Sequence, residues 1–219
     1  MKNAITLLLF ITALAFTGCK DKPIAEEEGF DYGTVANNKY TNKFFDIEMD
    51  VPAGWDVQSQ EQRDAIMQEG QKLAAGDNQL MKAKIKASEI NSANLLTVYQ
   101  HKMGETADYN PSFMLVAENL KKFPAIKSGN VYLDNAKKLL TTSALNITHI
   151  DDNYGHKNLR GLDFYIMNVT MNVNGVLVYQ LYMATVKDGF ALGFIYSYGN
   201  EEQKRDLEKV ASSIAPYKQ

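Results

Sequence analysis

The residues best suited to chemistry lie in one short stretch, His149-Ile150-Asp151-Asp152, followed by His156. In an extended strand His149 and Asp151 share a face, and a turn through Asn153-Tyr154-Gly155 brings His156 back toward them. Two imidazoles and a carboxylate suit zinc or a similar ion. His149, Asp151 and His156 are therefore the candidate metal ligands. The competing reading is a polar turn with solvated histidines, in which case the protein uses no metal and no cofactor. Nucleophilic catalysis has less to stand on. A serine hydrolase needs a nucleophile, a base and an orienting acid, and the chain has no Gly-x-Ser-x-Gly. Ser128-Gly129 and Ser212-Ser213 read as a helix cap and helix surface. No glycine-rich loop opens a helix after a strand, so a nucleotide site is unsupported. No catalytic residue is assigned, and the chain is expected not to be an enzyme. Trp55 directly follows Pro52-Ala53-Gly54. An indole there either packs at the rim of a core or serves as an anchor for a partner or sugar, which makes Trp55 the candidate binding residue.

Cys19 is the only cysteine, so no internal disulfide can form. What precedes it explains its presence. Met1-Lys2-Asn3 is positively charged, and Ala4 to Phe16 is almost wholly apolar. That run of roughly 13 residues has the length of a signal-peptide core, whereas a spanning helix needs about 20. Thr17-Gly18 then leads into Cys19. The arrangement resembles the lipobox of bacterial lipoproteins, with Gly18 at the small position before the cysteine. Phe16 departs from the leucine usual three residues before it. The resemblance implies a signal peptide over 1–18, diacylglyceryl and palmitate-type acylation on Cys19, and a location in the bacterial cell envelope. The protein would be lipid-anchored, on the outer membrane or facing the periplasm. One acyl chain binds a bilayer marginally, while two or more hold firmly.

Residues 19–39 read as the lipidated cysteine and a flexible tether. The segment is polar, carries Glu26-Glu27-Glu28, and is broken by Pro23, Gly29 and Gly33. About 20 flexible residues would give a reach of roughly 25 Å. Residues 40–219 remain for one domain. The formal net charge of −3 gives no basic footprint for nucleic acid. The expected partners are the membrane, through Cys19, and an envelope protein or small ligand.

Within the domain, Phe45, Ile47, Met49 and Val51 alternate with Asp46, Glu48 and Asp50, the pattern of a half-buried strand. Ser59 with Gln62 forms a capping box ahead of a helical stripe of Ile66, Gly70, Leu73 and Ala74. Residues 77–90 fit either a strand or a helix. Asn94 to Lys102 and Ser112 to Leu120 flank a polar turn as a hairpin. Ser128 caps a helix to about Thr142, with Tyr132, Ala136, Leu139 and Leu140 inward. Ile147 to Asp151 is a short strand. Asn174-Gly175, between two long β segments, is the strongest two-residue hairpin signal, and Lys187-Asp188-Gly189 makes a further turn into Phe190 to Tyr198. Asn200 caps a last helix with Leu207, Val210, Ala211 and Ile214 as its apolar stripe. Phe190, Phe194, Tyr196 and Tyr198 share a strand face, expected under that helix. The fold class that follows is α+β, an antiparallel β-sheet flanked by helices.

Tyr40 to Ile47 with Pro52-Ala53-Gly54-Trp55 resembles the opening of the PsbP/Mog1-like α/β/α sandwich domains. Asn110-Pro111-Ser112, Gln180-Leu181-Tyr182 and the helix Glu201 to Ile214 are also similar. The resemblance spans about residues 40–217. It implies a single sandwich domain and, since members of the fold mostly act as accessory modules on a photosystem or a small GTPase, a non-catalytic binding or accessory role. The alternative is a metal-dependent factor or hydrolase built on the His149–His156 turn.

Overall fold

Backbone pairing divides the chain into two antiparallel sheets, as a computed structural model describing residues 23–105 and 109–217 shows. Cys19 and the segment 1–18 lie outside the described residues. A small sheet is built from β1 (Thr34–Ala36), β2 (Lys39–Asn42), β3 (Ile47–Asp50) and β12 (Ala215–Pro216), in that order. The large sheet takes β4 (Asp56–Val57), β5 (Ser92–Tyr99), β6 (Ser112–Asn119), β11 (Phe190–Tyr198), β10 (Val176–Lys187), β9 (Leu162–Val173) and β7 (Ile147–Ile150). β8 (Gly155–Leu159) also pairs with β9.

Among the described residues, four α-helices flank the large sheet: α1 (Gln60–Ala75), α2 (Gln79–Glu89), α3 (Gly129–Thr142) and α4 (Glu201–Ser212). Strand alternation sorts the core into two layers. Met114, Val116, Ala191 and Ile195 face α1, α2 and α3, together with Met81, Ile85, Leu133 and Leu140. Phe113, Leu115, Phe194 and Tyr196 face the other way, onto α4 and the small sheet. The expected α+β class, an antiparallel sheet with helices on both faces, is the architecture observed. Phe190, Phe194, Tyr196 and Tyr198 do pack with Leu207, Val210, Ala211 and Ile214.

Local chemistry sets the element ends. Gln62 N–H donates to Ser59 Oγ at 3.3 Å and Ser59 N–H donates to Gln62 Oε1 at 2.8 Å, closing the capping box that starts α1. Met81 N–H donates to Asn78 Oδ1 at 3.0 Å. That cap decides residues 79–89 as a helix where the sequence pattern was open. Asn200 Oδ1 accepts from Glu202 and Gln203 N–H, both at 3.0 Å. Ser128 makes no cap bond to α3; its hydroxyl donates to Asn130 Oδ1 at 2.6 Å. Asn174 and Gly175 take φ of 51° and 87°, as a type I′ hairpin requires.

Two expectations need correction. Residues 24–39 are not a tether. Ile24 is 2% exposed in the core, and its N–H donates to the Ile90 carbonyl at 2.9 Å. A 3-10 turn follows at Ile24–Glu26, and Asn37-Asn38, with φ of 51° and 59°, reverse the chain between β1 and β2. The physical reason is tertiary: besides Ile24, Phe30 and Tyr32 pack against the core, and Glu27 bonds Asn119 and Lys121 far along the chain, contacts that a segment without periodicity does not announce. The second correction is Leu73, which is exposed on α1 while Gln71 and Ala75 are buried.

Candidate functional site

The segment 147–159 does not turn back on itself. β7 and β8 both run antiparallel to β9, along the same edge. Ile150 stands opposite Val169 and Gly155 opposite Ile166, so four residues, 151–154, bridge the two β9 positions between them. The chain bulges outward there and continues. His149 therefore pairs with Thr170 and His156 with Tyr165. These β9 positions are about 16 Å apart along the strand, and their parity puts the two histidines on opposite faces. The convergence of His149, Asp151 and His156 expected from the sequence is not formed, and no group of three metal-binding side chains occurs among the described residues.

Each member has a different local partner. Asp151 Oδ1 lies 3.1 Å from His149 Nε2, and its Oδ2 accepts from both the N–H and the side-chain amide of Asn168, at 2.9 and 2.8 Å. Burial pushes the Asp151 carboxyl up, but the Asn168 and His149 contacts together outweigh it and hold the group below its ordinary value. Lys137 Nζ donates to the Asp151 carbonyl at 2.6 Å and to Asp152 Oδ1 at 3.0 Å. Tyr154 donates to Asp134 Oδ1 at 2.7 Å. His156 is 3.4 Å from Asp163 Oδ1 and meets the Tyr165 ring edge-on at 5.0 Å. These bonds clamp the bulge to α3 and β9, a structural task.

Trp55 is placed differently. β3 ends at Asp50, and the turn that follows is closed by Trp55 N–H donating to the Pro52 carbonyl at 3.2 Å, with Gly54 at φ 82°. The left-handed conformation at Gly54 suits a residue without Cβ. It sets Trp55 half-buried against the core layer of α4. There Trp55 lines a cleft of about 380 Å³ with Asp50, Pro52, Asp206, Lys209 and Val210. Lys209 Nζ sits 2.7 Å from Asp206 Oδ1, and Lys39 Nζ 3.6 Å from Asp50 Oδ1. Asp50 N–H donates to Ser213 Oγ at 2.9 Å, tying the end of β3 to the end of α4. The Trp55 indole N–H makes no hydrogen bond to the described residues. The cleft thus joins an aromatic face, two carboxylate acceptors, an ammonium and a free indole donor.

A second polar feature went unread in the sequence. Under α3 the large sheet carries buried Ser112, Glu118, Gln180 and Ser197. Tyr109 and Ser197 hydroxyls are hydrogen-bonded, Gln180 Nε2 donates to Ser197 Oγ at 3.3 Å, and Tyr182 donates to Gln180 Oε1 at 2.8 Å. Tyr132 donates to Glu118 Oε2 at 2.8 Å. Burial, reinforced by Glu118, pushes the Tyr132 phenol well above its ordinary range. The available signal was polar residues at alternate positions of otherwise apolar strands. The network is enclosed; these bonds join Tyr109, Ser197, Gln180 and Tyr182 in one chain and Tyr132 with Glu118 in a second.

No protein-family profile and no curated protein sequence matches the chain. Solved structures similar in shape include the three that follow. A crystal structure from Bacteroides thetaiotaomicron has a TM-score of 0.45 at 10% identity, over 83% of this chain and 49% of that one. This chain thus spans about half the length of the Bacteroides protein. LpqN, described as involved in cell envelope biogenesis of Mycobacterium tuberculosis, has a TM-score of 0.43 at 14% identity, covering 76% of this chain and 78% of LpqN. The solution structure of cyanobacterial PsbP from Synechocystis has a TM-score of 0.47 at 11% identity, covering 84% and 98%. The α+β architecture itself stands on the strand order and the two core layers.

Proposed function

We propose that this chain is a lipid-anchored envelope protein whose domain is a non-catalytic binding module, with the Trp55 cleft as its binding position. The lipobox-like approach to Cys19 supports the anchor. No helix among the described residues is long and apolar enough to cross a membrane. The observation that carries the binding role is the indole of Trp55 facing a cleft flanked by Asp50, Asp206 and Lys209. A sugar ring presents an apolar face for the indole, hydroxyl donors for the carboxylates, and oxygen acceptors for Lys209 and the indole N–H. A simple cation would leave the indole donor unused and would compete with Lys209 for Asp206. The ligand class assigned is therefore a glycan of the envelope.

Trp55 is the only tryptophan in the chain, so intrinsic fluorescence reports on this cleft alone. Titration with soluble N-acetylglucosamine oligosaccharides should give a saturable blue shift, lost in Asp206→Asn. An unchanged spectrum at millimolar sugar, with no calorimetric heat, would overturn the glycan reading.

A further inference from the structure

The inner face of α2 is settled: Met81, Ile85 and Ser88 are buried. A helix at a protein surface ordinarily turns polar residues outward opposite such a face. α2 does not. At about 100° of turn per residue, Leu80, Ala83 and Ile90 fall into one stripe on its outer side. Ile90, the C-cap, keeps helical dihedrals and continues that stripe. All three residues are exposed. Leu80 is 66% exposed, more than any other large apolar side chain among the described residues, and Ile90 is 40% exposed.

Lysines border the stripe on both sides. The helical period puts Lys84 on one flank and Lys82 and Lys86 on the other, and all three are exposed. The single carboxylate of α2, Glu89, lines the groove toward α1 instead. A lysine stem covers apolar surface while its ammonium reaches outward. An apolar stripe bordered by such stems is the arrangement of a helix lying in a bilayer interface.

The course of the chain selects the occupant of this face. Ile24 N–H donates to the Ile90 carbonyl at 2.9 Å. The polypeptide running back from Ile24 toward Cys19 therefore leaves the domain beside the last turn of α2. A lipid on Cys19 would bring a bilayer to that point, next to Ile90 at one end of the stripe.

We infer that the outer face of α2 is the membrane-contact surface of the domain. Leu80 and Ile90 enter the interface of an anionic bilayer, and Lys82, Lys84 and Lys86 meet its lipid phosphates, which attract basic groups beside an anchor. The inference rests on the lipid anchor proposed above and goes beyond it by naming the face that meets the membrane. The Trp55 cleft lies against α4, on the other face of the large sheet. It is then turned away from the bilayer and open to ligand.

The test uses the lipidated full chain in nanodiscs of phosphatidylcholine and phosphatidylglycerol that contain a nitroxide lipid. Lipidation converts the Cys19 thiol, the only one in the chain, to a thioether, so an introduced cysteine alone takes a bimane label. Quenching at Leu80→Cys should exceed quenching at Glu202→Cys, an exposed position on α4, by at least about threefold. Adding Lys82→Gln/Lys84→Gln/Lys86→Gln should at least halve that excess. All four α2 positions are exposed, so an unchanged Tm separates lost contact from lost folding. Intact-mass measurement separates this inference from the anchor. Lipid mass on Cys19 with equal quenching at the two positions overturns the α2 face and leaves the anchor standing. An unmodified Cys19 overturns the anchor and this surface with it. An excess that the lysine exchanges leave unchanged, or a covalent dimer formed through the cysteine of Leu80→Cys, which would give the face to a second copy, also overturns the inference.

Discussion

Asp151 holds Asn168 by two bonds at once, its Oδ2 accepting the backbone N–H at 2.9 Å and the side-chain amide at 2.8 Å. This pair anchors the bulge between β7 and β8 onto β9. Because the native carboxyl is held below its ordinary value, the ionised form is favoured by folding. The contribution is present above the unfolded carboxylate range near pH 4 and disappears as pH falls through the lower native value. Asp151→Asn should therefore lower stability at pH 7 by about 1 kcal/mol, the scale of a solvent-accessible hydrogen-bonded pair. The difference from wild type should shrink toward zero in urea titrations carried below pH 3. A gap independent of pH would refute the assignment.

Gly129 opens α3 against β10 so closely that a Cβ there would meet the Ala184 carbonyl oxygen at 2.1 Å. Backbone cannot move aside as a flexible side chain does. Gly129→Ala should cost about 3 kcal/mol, the upper end of the overpacking range, while Gly54→Ala, which meets nothing, should cost about 1 kcal/mol through its φ alone. Chemical denaturation of the two variants side by side distinguishes them.

Ser59 starts α1 through a reciprocal cap. Ser59→Ala should lower stability by about 1 kcal/mol, a fall of about 2–4 °C in Tm for a domain of this size. Ser59→Asp should recover most of it, since a carboxylate accepts the same N–H and favours the helix N-terminus. Differential scanning calorimetry reads both.

The lipid anchor has its own test. Globomycin blocks the peptidase that cleaves before a lipidated cysteine, so treated cells should accumulate the uncleaved precursor, and Cys19→Ala should lose labelling with a clickable palmitate analogue. Normal processing in the drug would remove the anchor from the proposed function.

Several elements were readable directly because their signals are local. The Ser59–Gln62 cap, the Asn174-Gly175 turn and the aromatic alternation from Phe190 to Tyr198 each lie within a few residues, and each is found in the structure. What stayed hidden depends on distant partners. The docking of Ile24 rests on Ile90. The separation of His149 from His156 rests on the register of β9, since a turn and a bulge share the same polar composition over Asp151 to Gly155. Gln71 reads as a surface residue until α2 closes over it. Trp55 was legible as a residue to examine, but Asp206 and Lys209, which complete its cleft, come from α4, some 150 residues later.

The bond from Ile24 to Ile90 alters the geometry of anchoring. Five peptide steps separate Cys19 from Ile24, so the chain between them spans at most about 17 Å. A lipid on Cys19, as proposed, would therefore hold the domain close to the bilayer, with the edge where α2 ends at Ile90 on the side toward the headgroups.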